Sequence, residues 1–310
     1  MTSRFPLSSF PEGWFQVACS DGLAAGQVTA LHYFGRDLVL FRTGDGKASL
    51  LDAHCPHLGA HLGHGGRVEG DGIRCPFHGW RFSGEGVCED IPYSKSIPAK
   101  ASLPAWPLKE LDGRIFMFHH PQRRAPSFEL KGLPERSAPR DWTLFPGRRW
   151  RIRTHIQEPL ENFVDAAHFR YLHDHPSLPA NKVSCEGPVL RCRTEVKMRA
   201  GSRLIEGTID LECTGMGYAV LRLSGAVKSL IVCTFTPVDA ESIELDFSFS
   251  SRKDGDLAVG EAIFNDIVRQ IEQDVQVWEH KVYRAQPLLA DGEGGISVLR
   301  GWCRQFLSTE

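Results

Sequence analysis

The sequence has almost no excess of charge and no long hydrophobic run. Its 310 residues include 36 Lys and Arg against 38 Asp and Glu, which gives a formal net charge of −2. A chain so balanced has no electrostatic footprint for nucleic acid or anionic lipid, so we expect neither as a partner. Arg222, Lys228 and Pro237 interrupt the most apolar stretch, 217–238. No segment therefore reaches the roughly 18 uncharged apolar residues of a membrane span.

The sequence also lacks the features of a secreted, disulfide-bonded protein. Its opening, MTSRFPLSSFPEGW, has no long apolar core of a signal peptide. The nine cysteines are an odd number, and an odd number without such a leader indicates free thiols in a reducing compartment. We therefore expect a cytoplasmic protein. With 42% apolar and 24% charged residues, it has the composition of ordinary globular domains.

The spacing of apolar residues predicts an α+β protein. Short apolar runs such as 37–43 and 114–120, with Pro and Gly every few residues between them, indicate an all-β first part. The second part has strand-like runs at 150–156, 189–199, 204–212, 218–224, 230–236 and 243–250. Apolar residues three and four apart predict a long closing helix from about Leu257 to Arg284. A second helix is predicted from Pro159 to His173, since proline suits the first helical position.

A stretch between the two parts reads as a linker. Residues 121–140 contain four prolines and mixed charge without an apolar period. Such composition is typical of a segment between domains. We expect a first domain at 1–125, a linker at 126–140 and a second domain at 141–310.

Two short segments, Cys55-Pro-His57 and Cys75-Pro-Phe-His78, each carry one cysteine and one histidine. Neighbouring prolines and glycines allow each segment to form a tight loop. Two thiolates suit one iron of a Rieske [2Fe–2S] centre and two neutral imidazoles suit the other. A structural zinc site is the alternative, but zinc fingers pair Cys-x-x-Cys with two downstream histidines. The pattern therefore favours the iron–sulfur interpretation.

A second group of histidines lies on the predicted helix, in the stretch ENFVDAAHFRYLH. Asn162, Asp165 and His168 are three apart and would share one helical face. His173 lies five residues further, about 140° around an ideal helix, so both histidines reach one metal only if the helix ends near Tyr171. Two histidines with one carboxylate and open positions would make an Fe(II) site for O₂. The histidines taken alone could equally belong to an ordinary packed helix.

Asp274 is the predicted carboxylate ligand. It lies on the apolar stripe of the closing helix, three residues after Ile271 and four before Trp278. An unpaired charge in that position is costly, and a metal would account for it. A buried salt bridge is the alternative. The other carboxylates of this helix lie beside or off the stripe and are expected in solvent: Asp266, Glu272 and Glu279.

The motifs CPHLGAHL, CPFHGWRF, ENFVDAAHFRYLH and EQDVQVWEHKVY together resemble the Rieske non-haem iron oxygenases, over most of the chain. Ala60 and Phe77 stand near the places where respiratory Rieske proteins have two further, disulfide-bonded cysteines, so the resemblance is to the oxygenase branch. It implies an N-terminal all-β Rieske domain. It also implies a C-terminal helix-grip catalytic domain, in which a long C-terminal helix closes a curved antiparallel sheet.

The resemblance implies a role for each candidate residue. Four residues would bind the [2Fe–2S] cluster: Cys55, His57, Cys75 and His78. Three would bind one mononuclear Fe(II): His168, His173 and Asp274. Asp165 would bridge electron transfer, and Asn162 would lie beside the metal. The family also forms head-to-tail trimers, so we expect a homotrimer in which the cluster of one subunit serves the iron of the next.

The resemblance also implies a reaction class. The C-terminal stretch WEHKVYRAQPLLADGEGGISVLRGWCRQF resembles the branch that contains 3-ketosteroid 9α-hydroxylase oxygenases and cholesterol 7-desaturases. We expect a monooxygenase that uses O₂ to hydroxylate a small apolar, steroid-like substrate. Because the sequence has neither a dinucleotide fingerprint nor a plant-type ferredoxin motif, a separate NAD(P)H-dependent reductase or ferredoxin would supply electrons. Aromatic O- or N-demethylation is the alternative, and a Rieske electron carrier without O₂ chemistry is a third possibility.

Overall fold

The computed structural model describes residues 4–7, 10–200 and 203–307, and the chain forms two compact units. The smaller unit comprises residues 15–127, and the larger comprises residues 1–14 with 128–310. Most of the predicted linker thus belongs to the larger unit, where Glu135 pairs with Arg222 at 2.5 Å. The functional boundaries expected from the sequence remain a prediction.

The smaller unit consists of short antiparallel strands, as the spacing of Pro and Gly predicts. Its strands are β1 Gly13–Cys19, β2 Val28–Tyr33, β3 Arg36–Arg42, β4 Ala48–Asp52, β5 Arg67–Glu69, β6 Gly72–Arg74, β7 Arg81–Ser83, β8 Cys88–Asp90, β9 Ala105–Trp106, β10 Leu108–Leu111 and β11 Arg114–His119. The first two residues of β1 belong to the larger unit. They form sheets in the orders β1-β11-β10, β2-β3-β4-β9 and β5-β6-β7-β8. One hydrophobic core contains Phe41, Leu51 and Phe82 together with Cys55 and Cys75. The two cysteines of the predicted cluster site are therefore part of the packed interior.

The larger unit is built on one antiparallel sheet. Its strands are β12 Trp142–Leu144, β13 Arg148–Ile152, β14 Ala180–Glu186, β15 Val189–Ala200, β16 Arg203–Thr214, β17 Tyr218–Leu223, β18 Ser229–Pro237 and β19 Ile243–Arg252. The order is β12-β19-β18-β17-β16-β15-β14, and β13 also pairs with β19. In β19 the buried residues Ile243, Leu245, Phe247 and Phe249 alternate with half-buried ones, so one face of the strand packs inward. Strand β14 was not predicted, because its residues are mostly exposed and show no apolar period.

Four α-helices accompany this sheet in the described part of the chain: α1 Gln157–Asn162, α2 Ala166–Tyr171, α3 Leu257–Trp278 and α4 Gly294–Cys303. The prediction of one helix from Pro159 to His173 is wrong. Asp165 is extended, and its carboxylate accepts a hydrogen bond from the Ala167 N–H at 2.8 Å. It therefore caps a new helix instead of continuing the first one.

The long closing helix is present but shorter than predicted. Helix α3 ends at Trp278, not at Arg284, and Asp256 caps its start. Phe264, Asp274 and Trp278 are buried on its inner face. The all-β first part and the large antiparallel sheet with a long helix confirm the predicted α+β fold class. None of the helices in the described ranges has the length and apolar character required to cross a membrane.

Candidate metal centres

Two loops of the smaller unit, 55–60 and 75–80, are closed by the same pair of main-chain hydrogen bonds. In each loop the cysteine N–H donates to the carbonyl five residues later, and a glycine N–H donates back to the cysteine carbonyl. These bonds are Cys55 N–Ala60 O and Gly59 N–Cys55 O at 2.9 Å, Cys75 N–Trp80 O at 2.8 Å and Gly79 N–Cys75 O at 3.2 Å. Gly59 and Gly79 have φ of +76° and +74°, a conformation that side chains disfavour. Each loop is therefore a preformed turn around its cysteine.

The donors of the two loops have different surroundings. Cys55 and Cys75 are 2% and 3% exposed, whereas His57 and His78 are half-buried, with ring centroids 4.6 Å apart. Burial, with Cys75 close by, raises the pKa of the Cys55 thiol to about 11. A buried thiolate pair therefore needs positive charge beside it, which iron supplies. Two soft sulfur donors and two imidazoles fit a [2Fe–2S] cluster.

Residues next to the ligand motifs hold these loops in place. The His57 ring stacks on Trp80, with centroids 4.8 Å apart, and the Trp80 indole donates to the Tyr93 hydroxyl at 2.9 Å. The Arg74 guanidinium donates to the carbonyl of Gly79 in the second loop. Sequence reasoning missed Trp80, Tyr93 and Arg74; for Arg74 and Trp80 the available signal was their position beside the Cys75–Gly79 segment.

Three predicted ligands of the larger unit converge on one point. His168, His173 and Asp274 each offer a donor atom, and these atoms lie within 4.8 Å of one another. Helix α2 ends at Tyr171, and Asp174 turns the chain with φ of +55°. The two imidazoles therefore meet, with ring centroids 5.0 Å apart, although an unbroken helix would have separated them. Two imidazoles and one carboxylate are the donor set of non-haem Fe(II) sites that leave positions open.

Each histidine is oriented through its Nδ1 atom. His168 Nδ1 lies 2.6 Å from the main-chain oxygen of Asp165, and His173 Nδ1 lies 3.0 Å from Oε1 of Gln273. Burial lowers the pKa of the His168 imidazole. For His173 burial also acts to lower the pKa, but hydrogen bonds to Asp274 and Gln273 raise it overall. A donating Nδ1–H leaves the Nε2 lone pair of each ring for a metal.

Asn162 connects this site to the long helix. Its Nδ2 donates to Asp274 Oδ1 at 2.9 Å, and its Oδ1 accepts from the Trp278 indole at 3.2 Å. The Asp165 carboxylate, in contrast, caps α2, and its Oδ2 lies 3.8 Å from His168 Nδ1. The His168 imidazole donates from Nδ1 to the Asp165 main-chain carbonyl, not to the Asp165 carboxylate.

A buried charge network connects α1 to Lys281 and to α4, and it was not predicted. The Glu158 carboxylate is fully buried and pairs with Lys281 at 2.5 Å. Glu161 is also buried and pairs with Arg300 at 2.6 Å, which connects α1 to α4. Hydrophobic periodicity cannot reveal such groups, because it assigns charged residues to the surface.

The triad of His168, His173 and Asp274 lies at the wall of a cavity of about 880 Å³ within the larger unit. The sheet contributes apolar side chains, among them Leu221, Leu223, Ile231, Phe235 and Phe247. The other wall follows α3 from Ala258 to Trp278, which is roughly 30 Å at 1.5 Å per residue. Its polar lining is concentrated near the triad and in the segments 174–175 and 266–270. The cavity therefore suits an elongated, mostly apolar ligand.

The fold and the two donor sets define an iron–sulfur protein with a second metal centre in an apolar cavity. Comparison with known families agrees: residues 13–107 match the Rieske [2Fe-2S] domain, and residues 117–307 match the 3-ketosteroid 9alpha-hydroxylase C-terminal domain. The chain belongs to this family of Rieske oxygenases. It is a Rieske-type non-haem iron monooxygenase, the oxygenase component of its system, and it carries a [2Fe–2S] cluster and a mononuclear iron.

Curated relatives match almost the whole chain. Cholesterol 7-desaturase nvd 1 of Ciona intestinalis is 31% identical, over 96% of this chain and 68% of the relative. A 3-ketosteroid-9-alpha-monooxygenase oxygenase component of Rhodococcus rhodochrous is also 31% identical, over 96% of this chain and 84% of the relative.

Solved structures share the fold. Dicamba monooxygenase bound to 3,6 dichlorosalicylic acid superposes with a TM-score of 0.79 at 17% identity, covering 95% of this chain and 96% of that one. NdmA of Pseudomonas putida CBB5 with caffeine gives 0.77 at 18% identity, covering 94% and 89%.

Proposed function

We propose that the convergent triad binds the mononuclear iron: His168, His173 and Asp274. The donors of the two closed loops bind the cluster: Cys55, His57, Cys75 and His78. The observation that carries this assignment is the convergence of the triad atoms within 4.8 Å at the wall of an apolar cavity. When bound, the cluster supplies single electrons and the iron supplies O₂ activation.

The chain's own side chains position the parts of this reaction. Asn162 holds the Asp274 carboxylate by the hydrogen bond of 2.9 Å. The apolar walls of the cavity exclude water and orient the substrate against the triad. Asp165 lies in the segment that begins α2, one helical turn before His168, and we assign it the path of electrons from the cluster of a neighbouring subunit.

The substrate we propose is apolar and steroid-like, and the reaction is hydroxylation. An apolar cavity of about 880 Å³ that follows α3 has room for a fused-ring hydrocarbon. The names of the curated relatives, which include ketosteroid monooxygenases and cholesterol desaturases, point in the same direction.

We further propose a cytoplasmic homotrimer that receives electrons from a separate reductase or ferredoxin. Within the described residues no cysteine forms a disulfide bond, which is consistent with a reducing compartment. Leu58 and Phe77 are 65% and 60% exposed beside the cluster histidines, and exposed apolar side chains of this size favour contact with another protein. Head-to-tail contacts of identical subunits close into a ring when each rotation is 120°.

The test is turnover of a substrate panel with a surrogate reductase, O₂ and NADH. Steroids and methoxyarenes of similar size are offered to the wild type and to Asp274→Ala, and products are identified by mass spectrometry. We expect a steroid product that has gained one oxygen atom, formed by the wild type alone. Loss of two hydrogen atoms would instead indicate desaturation. Formaldehyde from the methoxyarenes would favour the demethylase alternative, with which the fold of dicamba monooxygenase is also consistent.

A further inference from the structure

The amide of Gln273 is shared between the metal site and a surface arginine. Its Oε1 lies 3.0 Å from His173 Nδ1 and 3.1 Å from Arg269 Nη1. Gln273 immediately precedes Asp274 on α3, and Arg269 lies one turn earlier on the same helix. Neither Gln273 nor Arg269 belongs to the ligand set proposed above.

The hydrogen-bond donors and acceptors of Arg269, Gln273 and His173 determine how the Gln273 amide is oriented. A guanidinium can only donate, so the Gln273 amide must present its oxygen, not its NH₂ group, to Arg269. The same oxygen faces His173, and an amide oxygen can only accept. The His173 ring must therefore carry a proton on Nδ1, so Nε2 is the nitrogen through which the ring would bind a metal. That Nε2 atom lies 3.3 Å from Asp274 Oδ1, on the side where the triad converges.

An ion pair with Asp266 holds Arg269 in this position. Its guanidinium donates from Nε to the Asp266 carboxylate at 3.2 Å, and Asp266 also accepts from Gln270. His168 has no such arrangement, because its Nδ1 is oriented by a main-chain carbonyl that substitution cannot remove. His173 is thus the ligand whose orientation depends on a replaceable side chain.

The geometry points to Gln273 as a positioning residue, held by Arg269, that fixes the tautomer and ring orientation of His173 for metal binding. This inference rests on the proposed function, since it requires His173 to be an iron ligand. Partners that orient a metal-bound histidine typically contribute about 10- to 100-fold to metal affinity. We expect loss of that order when the Gln273 acceptor is removed.

The experiment measures Fe(II) affinity separately from activity. The mononuclear iron is removed with a chelator while the visible spectrum confirms that the cluster is intact, and Fe(II) is then titrated anaerobically. Bound Fe(II) is followed by the electron paramagnetic resonance signal of its nitric oxide adduct. Gln273→Leu should bind Fe(II) about 10- to 100-fold more weakly, whereas Gln273→Glu, which keeps an accepting oxygen, should bind near the wild-type level. Arg269→Met should weaken binding less than Gln273→Leu, because the amide is freed but still present.

Two further variants separate the possible failures. Gln276→Leu makes the same substitution at an exposed position of α3 and is the matched control. If Gln273→Leu binds as tightly as this control, the inference about Gln273 is wrong. If Asp274→Ala still binds Fe(II) normally, the ligand assignment itself is wrong. Should Gln273→Leu fail to fold, Gln273→Asn withdraws the oxygen by one methylene and carries the same expectation.

Discussion

Asn162 Nδ2 donates a hydrogen bond to Asp274 Oδ1 across 2.9 Å, although the two residues are 112 positions apart in the chain. The same amide accepts from the Trp278 indole, so one side chain satisfies two buried groups of α3. It thereby connects the end of α1 to the part of the long helix that bears Asp274.

Asn162→Leu keeps the approximate volume of the side chain but removes both hydrogen bonds. We expect a loss of about 1–3 kcal/mol in the free energy of unfolding, because Asp274 and the Trp278 indole lose a partner in a buried site. Bound mononuclear iron should fall as well. Denaturant unfolding and iron analysis measure the two effects, and wild-type values for both would show that the Asn162 amide is dispensable.

His78→Cys tests the cluster assignment. A third thiolate donates more negative charge to the cluster than an imidazole, so the reduction potential should fall and the visible spectrum should change. Spectroelectrochemistry of the purified variant measures both. We also expect the cluster to remain bound, because the main-chain hydrogen bonds that close the Cys75 loop do not involve the side chain of residue 78. A spectrum and potential equal to those of the wild type would remove His78 from the ligand set.

Asp165→Asn separates charge from capping. Asparagine caps a helix as well as aspartate does, so α2 and both metals should be retained. We expect a chemically reduced cluster to be reoxidised slowly by substrate and O₂ in this variant. Asp165→Ala should additionally lose about 0.5–2 kcal/mol of stability with the cap. Reoxidation of the Asn variant at the wild-type rate would mean that electrons do not require the Asp165 carboxylate.

Glu158→Gln tests the buried charge network through its pH dependence. Burial raises the pKa of the Glu158 carboxyl above its ordinary value of 4.5, even though Lys281 opposes the shift. An acid with a raised pKa holds its proton more tightly in the folded state, so its contribution to stability falls as pH rises from 4.5 through the folded pKa. Relative to Glu158→Gln, the wild type should therefore lose unfolding free energy in that range.

Denaturant titrations at a series of pH values measure this difference. Glu272→Gln replaces an exposed carboxylate of α3 and serves as the control. A constant difference between the wild type and Glu158→Gln across the range would show that Glu158 titrates alike in the folded and unfolded chain.

Patterns that repeat along the chain made most of the fold predictable. The bounds of strands β15 to β19 were predicted to within a few residues, because these strands are apolar runs separated by turns. Asp274 stood out because a charge on an apolar stripe violates that regularity. The break between α1 and α2 was not foreseen, because Asp165 suits a helical face and a helix cap equally well.

Groups that depend on tertiary contacts left no such trace. Glu158 and Glu161 are buried only because Lys281 and Arg300, more than 100 residues later, supply their counter-charges. Gln273 contributes to the metal site only because its side-chain amide is oriented toward His173. Single-sequence periodicity contains no information about either pairing.

Helix α2 has six residues, with His168 in its first turn and His173 just beyond its end. A helix of this length has almost no stability of its own in water, because its few hydrogen bonds do not offset the free-energy cost of helix nucleation. An ion bound by both histidines and by Asp274 would connect this segment to α3. Iron binding would then be coupled to the local folding of α2, and part of the binding free energy would be used to order this helix. The α2 amides would consequently exchange hydrogen more slowly when iron is bound. The shape of the substrate cavity would also depend on whether the iron is present.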